Sequence, residues 1–119
     1  MLTLICGLPR AGKTTYSKRF DGECDVIHFD QCPSRIKGHL RCLSKVDTDR
    51  DIVVEGVYNE AYRRAELRKA YLGDKARCIW LNTPTEVKQT RPGYCKSCEY
   101  NFEPPTYSEG WDEIIVIGE

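Results

Sequence analysis

The chain has little that would mark a partner by charge or a membrane by hydropathy. Eighteen Lys and Arg are cancelled by eighteen Asp and Glu, which excludes a whole-molecule field that recruits polyanions; a nucleic acid would have to be met by a local patch. No unbroken apolar stretch approaches the roughly 20 residues of a membrane span, and the opening MLTLICGLPR contains no long apolar signal run. Internal repeats, low-complexity tracts and linkers are missing too, so residues 1–119 are expected to form one domain, long enough to bury a core without disulfides. Cysteine is the exception to this scarcity. Seven are present, but an odd number at irregular spacing argues against a disulfide framework, and reduced thiols in a cytoplasmic protein are expected.

What is present alternates. Leu2–Cys6, Asp25–Phe29, Asp51–Glu55, Arg77–Leu81 and Ile114–Ile117 are short apolar runs of strand type. Between them lie segments of helical composition. Thr14–Phe20 is the first, and Ile36–Val46 follows with Ile36, Leu40 and Leu43 at helical spacing. The third segment starts after a possible Asn59 cap and stops near Gly73, and the last is opened by Thr83 with Glu86 as a capping box and runs toward Arg91. Strands that alternate with helices and are apolar on both faces predict an α/β fold with a parallel sheet covered by helices. Ligands in such sheets sit at the carboxyl ends of the strands.

The residues that follow the first strand carry the strongest signal. Gly7-Leu8-Pro9-Arg10-Ala11-Gly12-Lys13-Thr14 matches G-x-x-x-x-G-K-[ST] at every fixed position, between a strand and a helix. At ordinary residue frequencies such a match arises by chance on the order of a few times per thousand chains of this length. Glycines let the backbone approach an anion closely with its amides turned inward, and the helix N-terminus adds unpaired N–H groups. Lys13 would reach the β and γ phosphates, the Thr14 hydroxyl would be a magnesium ligand, and Thr15 is expected deeper, against the α phosphate. A plain glycine-rich helix cap would not require Lys-Thr here.

Other strand ends carry charged groups. Asp30 closes the second strand, where it is either a general base for an attacking hydroxyl or a turn residue ahead of Pro33. Arg35 is a candidate for a phosphate on the acceptor, with a solvated arginine as the alternative. Glu55 ends the third strand, the usual place for an acidic residue that holds magnesium through water.

GLPRAGKTT, HFD, VVEG, WLNTPTEVKQTR and FEPPTYSEGWDEIIVI, in this order over nearly the whole chain, resemble the P-loop kinase group that includes the 5′ polynucleotide kinases and related AAA-type kinase-like domains. The resemblance implies a three-layer P-loop NTPase sandwich with strand order 2-3-1-4-5. It implies ATP and Mg2+ as donor and cofactor, and transfer of the γ-phosphoryl group to a hydroxyl, with a polynucleotide 5′-hydroxyl as the leading acceptor. Lys13 and Thr14 then take the phosphate and magnesium positions, Asp30 the base, Arg35 the acceptor phosphate, and Arg91 the lid arginine that neutralises the transferring group. The chain departs from the group in three ways: Glu55 stands where aspartate is more usual, the acceptor-side segment between Asp30 and the third strand is short, and the lid, about residues 91–103, is short. Two alternatives follow from the departures: a kinase of a nucleoside, sugar or other small molecule, and a nucleotide-binding ATPase module with little transfer of its own.

The remaining residues read more plainly. Cys95 and Cys98 supply half of a zinc site with no second pair nearby. His28 and His39 read as structural or solvated. Tyr94, Tyr100, Phe102 and Tyr107 either stack on a base or pack the lid stub. Arg41, Arg50, Arg63, Arg64 and Arg68 read mostly as a solvated surface, with some of them candidates for the border of an acceptor groove.

Overall fold

The computed structural model describes residues 1–8, 10–20, 22, 24–28, 36–91 and 101–118. Pro9, Asp30, Arg35, Tyr94, Cys95, Cys98 and Tyr100, and with them most of the expected lid, lie outside the described residues. Five strands, β1 (Leu2–Cys6), β2 (Asp25–His28), β3 (Ile52–Gly56), β4 (Ala76–Leu81) and β5 (Glu113–Ile117), alternate with α1 (Lys13–Ser17), α2 (Ile36–Ser44), α3 (Ala61–Ala70) and α4 (Thr85–Gln89). All pairings are parallel, in the order β2-β3-β1-β4-β5. The strand order that the resemblance implies is therefore the one observed, and the described strand ends differ from the expected ones by no more than one residue.

The sheet is covered on both faces. On one, Leu2, Leu4 and Cys6 of β1 pack with Val54, Cys78, Leu43 of α2 and Leu67 of α3. On the other, Ile5, Val53 and Ile79 pack with Ala11, Leu81 and the flanking Tyr16 and Phe20. Successive side chains of a strand point to opposite faces, so an uninterrupted apolar strand such as LTLIC supplies both cores at once. Each fully buried Leu or Ile contributes about 1.5–3 kcal/mol from lost water contact. Helix α1 lasts only five residues and tightens into a 3-10 turn at Lys18–Phe20, shorter than the single helix expected over 14–20.

The two buried thiols, Cys6 and Cys78, lie 3.6 Å apart. Cys78 stands opposite Leu4 rather than Cys6, so the pair is diagonal across two strands. Diagonal neighbours are about 7–8 Å apart at Cα, beyond the usual span of a disulfide. The hydrogen bond with Cys6, together with burial, pushes the Cys78 thiol far above its ordinary range, which keeps it protonated and unreactive. Cys6, Cys24, Cys42 and Cys78 are thiols. No described helix is long and apolar enough to cross a membrane.

The C-terminal segment corrects several readings of the sequence. Arg64, expected on a solvated face, is fully buried. Its Nε and Nη2 donate to the two oxygens of Glu109 at 2.8 and 3.1 Å, and its other N–H groups donate to the carbonyls of Tyr58 and Glu103 at 2.7 and 2.6 Å. Trp111 Nε1 donates to the same carboxylate at 3.0 Å, and Glu109 closes a capping box with Thr106 over the 3-10 turn Tyr107–Glu109. Phe102 stacks on Trp80 with ring centres 5.1 Å apart, so this lid aromatic is part of the core packing instead of a platform for a base. Arg68 donates to the carbonyls of Tyr71, Gly73, Asp74 and Gly110. The segment FEPPTYSEGWDE thus wraps α3 and supplies its counter-ion.

Local capping was also misread. Asn59 donates to the Asn101 carbonyl and leaves the α3 N-terminus to Glu103, whose carboxylate accepts from the Ala61 N–H at 3.1 Å. At α4 the flanking residue is Pro84, with no side-chain cap.

Burial alone would raise the Glu109 carboxyl, but hydrogen bonds from Arg64 and Trp111 and the Arg64 charge outweigh it and hold Glu109 below the usual carboxylate range. A carboxylate with a depressed folded-state pKa contributes stability that is complete above its unfolded value, about 4.3, and is lost as pH falls through the folded value. The urea midpoint is expected to drop as pH is lowered from about 4.3. In Glu109→Gln the midpoint starts lower at neutral pH and the acid loss is smaller; equal pH profiles for the two proteins would remove Glu109 from the acid sensitivity.

Candidate active site

The carboxyl ends of β1, β2, β3 and β4 bring together the loop from Gly7 to Gly12, His28, Glu55 and the Leu81–Thr83 connection. Both glycines of the loop have a geometric reason. A Cβ on Gly7 would come within 2.8 Å of the Leu81 carbonyl oxygen, a backbone atom of β4. Gly12 has φ +100° and forms the left-handed entry to α1, a conformation that suits glycine.

Two long-range bonds fix the loop's carbonyl groups. Thr83 Oγ1 donates to the Ala11 carbonyl at 2.6 Å, so the hydroxyl expected to cap α4 holds this loop instead. Arg91 Nη1 donates to the Arg10 carbonyl and lies 3.3 Å from the point where a Gly12 Cβ would stand. The residue read as a lid arginine is therefore against the loop. Arg10 itself has φ +69°, an uncommon conformation for a residue with a side chain.

At the start of α1, Lys13 is buried and its Nζ donates to the Leu8 carbonyl at 3.2 Å. Thr14 Oγ1 donates to Glu55 Oε1 at 2.8 Å, and Thr15 is exposed. Glu55 is 2% exposed, and a carboxylate so buried requires donors. Three side chains provide them: Thr14 on Oε1, and Ser17 Oγ at 3.1 Å and His28 Nδ1 at 2.6 Å on Oε2. The Ser17 hydroxyl is also 2.9 Å from the Thr14 carbonyl, so its single hydrogen is shared. His28 faces Glu55 directly in the β2–β3 register.

The sequence reading placed Lys13, Thr14, Glu55 and Arg91 as functional, and the fold gathers all four around one loop. Asp30 and Arg35 lie outside the described residues. Ser17 and His28 were missed as members of this constellation. Ser17 is one helical turn beyond Thr14, and His28 has the same offset from the start of β2 that Glu55 has from the start of β3. That equal offset exists only with the observed strand starts; the expected start at Asp51 hides it. His39, the other histidine, is buried with Nδ1 2.9 Å from the Tyr58 hydroxyl, a structural contact. No group of three or more His, Cys, Asp or Glu among the described residues is arranged to hold a metal by itself.

No family model and no curated protein matches the chain. Among solved structures, the unliganded crystal structure of a sugar kinase from Janibacter sp. HTCC2649 superposes with a TM-score of 0.66, covering 98% of this chain and 84% of that chain at 18% identity. The likeness is one of fold: a kinase-like α/β architecture.

Proposed function

We propose that the protein is an ATP-dependent phosphotransferase that moves the γ-phosphoryl group to the hydroxyl of a small molecule. The observation that carries this reading is the 2.8 Å bond between Thr14 and the buried Glu55, set at the mouth of a G-x-x-x-x-G-K-T loop. A hydroxyl and a carboxylate held together beside a lysine form an oxygen-rich, anion-tolerant corner of the kind a Mg2+–triphosphate requires. These donors fit magnesium: Thr14 would be a direct ligand and Glu55 would act through water. When bound, Mg2+ neutralises charge on the β and γ phosphates.

The chain's own groups do the rest. The backbone N–H groups of the Gly7–Thr14 loop cradle the phosphates, with Leu8, Arg10 and Ala11 contributing backbone only and Pro9, which has no N–H, shaping the loop, and Thr15 lies near the α phosphate. The Lys13 ammonium exchanges its bond to the Leu8 carbonyl for phosphate oxygens. Asp30 accepts the proton of the acceptor hydroxyl as its oxygen bonds to the γ phosphorus and the bond to the β-γ bridging oxygen breaks, which releases ADP. Arg91 offers a guanidinium to the charge that spreads over the transferring group.

A small acceptor is favoured over a polynucleotide by the cancelling charge of the chain, eighteen basic residues against eighteen acidic, and by what two of the α3 arginines do. Arg64 is fully buried on Glu109 and Arg68 is turned onto four carbonyls, so neither extends a basic stripe of the kind a polyanion needs. The fold shared with a sugar kinase points the same way, and Arg35 would serve an acceptor that itself carries an anionic group.

Labelled ATP supplied with sugars, nucleosides and 5′-hydroxyl oligonucleotides tests the reading. Transfer to a small hydroxyl compound, little affected by salt, is the expected result. Salt-sensitive transfer to oligonucleotide alone would assign the polynucleotide acceptor, and tight ATP binding with no transfer would leave a nucleotide-binding module. In whichever reaction is found, Asp30→Ala is expected to lower kcat by about 10²–10⁴, and unimpaired transfer would remove Asp30 as the base.

A further inference from the structure

Glu55 has an arrangement that the loop alone does not explain. Its carboxylate could rotate about its last bond and still satisfy Thr14 with either oxygen. The plane is set instead by two donors on Oε2 that come from different elements, His28 at the end of β2 and Ser17 on α1. A carboxylate oxygen only accepts, so the 2.6 Å contact requires the hydrogen on His28 Nδ1. His28 is therefore a donor through Nδ1, carried on a strand whose register puts it opposite Glu55. With Oε2 occupied, Oε1 is the oxygen presented to Thr14, and its second lone pair is the one left to accept from a metal-bound water.

We infer that His28 is a positioning residue for magnesium: it orients Glu55 so that Oε1 faces the Thr14 side of the nucleotide site, and it thereby sets how strongly Mg2+ tightens nucleotide binding. The inference rests on the nucleotide-binding reading above. Groups that orient a metal-side ligand without touching the metal commonly change metal affinity by about 10–100-fold when removed. Ser17 supports the same oxygen from the helix, but its hydrogen is shared with the Thr14 carbonyl, so His28 is the stronger of the two anchors.

The test is a binding measurement that needs no turnover. ATP is titrated calorimetrically into the wild type, His28→Ala, His28→Asn and His28→Gln at graded Mg2+ and in EDTA, with thermal midpoints recorded in EDTA. His28→Ala is expected to need about 10–100-fold more Mg2+ for half its effect, with ATP affinity in EDTA unchanged. Asparagine carries its amide N–H near the position of Nδ1 and is expected to restore the Mg2+ response. Glutamine carries it nearer Nε2 and is expected not to. If His28→Ala lowers the thermal midpoint too far for titration, the Asn and Gln proteins carry the comparison. An unchanged Mg2+ requirement in His28→Ala, or equal behaviour of Asn and Gln, overturns the inference while the nucleotide site stands. A wild type that binds no ATP in either condition overturns both.

Discussion

Arg91→Ala is expected to lower kcat by about 10³–10⁵ while leaving ATP affinity nearly unchanged. The expectation starts from position: Arg91 follows α4, yet its guanidinium reaches the Arg10 carbonyl and lies against Gly12, so it stands beside the loop before any ligand arrives. In the proposed mechanism a cation there adds little to the ground-state complex, where Lys13 and magnesium would already meet the phosphates. It adds most when charge spreads over the group in flight. Arg91→Lys is expected to recover only part of the loss, because an ammonium cannot fork between two oxygens as a guanidinium does. Single-turnover rates with the identified acceptor, set beside ATP binding of the same variants, give the answer. A loss of less than tenfold, or one confined to ATP affinity, would show that Arg91 does no more than tie α4 to the loop.

Arg64→Ala carries the largest expected cost to stability, about 3–5 kcal/mol. The guanidinium is fully buried and all its described partners are acceptors: a carboxylate and two carbonyls. Removing it leaves the Glu109 charge enclosed with, among the described residues, Trp111 Nε1, the Thr106 N–H and the Thr106 hydroxyl as its donors. It also strips the cation from the face of Phe102, where the Arg64 carbon is 5.4 Å from the ring centre. Domains of ordinary stability hold about 5–15 kcal/mol in reserve, so the variant is expected to be marginal at body temperature. Urea denaturation followed by tryptophan fluorescence measures it directly, since Trp111 shares the Glu109 carboxylate. A midpoint equal to wild type would show that the ion pair is offset by its own desolvation and contributes nothing net.

The sheet could be read from the sequence because each of its strands is a contiguous run whose apolar pattern is complete within four to six residues. The Gly7–Thr14 loop was legible for the same reason: strand, glycines, lysine and hydroxyl are neighbours in the chain. Arg64 was not. Within α3 it sits among Arg63, Glu66, Arg68 and Lys69, and nothing in that window distinguishes it; its burial is decided by Glu109, 45 residues away. Thr83 failed in a more instructive way. Its capping-box spacing to Glu86 is correct, but a hydroxyl within reach of a loop carbonyl has a better partner than a helix end already opened by proline. Phe102 was undecidable between base platform and packing until Trp80 was seen beneath it. His28 needed the β2–β3 register, which is a property of the folded sheet and not of either strand.

The wrapping of α3 by the C-terminal segment has a consequence for how the chain is made. Synthesis runs from N- to C-terminus, so the Arg64 charge is produced well before the carboxylate that neutralises it, and before β5 can pair with β4. Until Glu109 emerges, sinking α3 onto the sheet would enclose a bare cation, a penalty of several kcal/mol, so the helix must wait at the surface. The face built from Leu67 and its neighbours is therefore expected to close late. A ribosome-bound nascent chain whose emerged part stops before Glu109 is expected to expose this face to chaperones, and one carrying a C-terminal linker long enough to bring Trp111 out of the exit tunnel is expected to hide it.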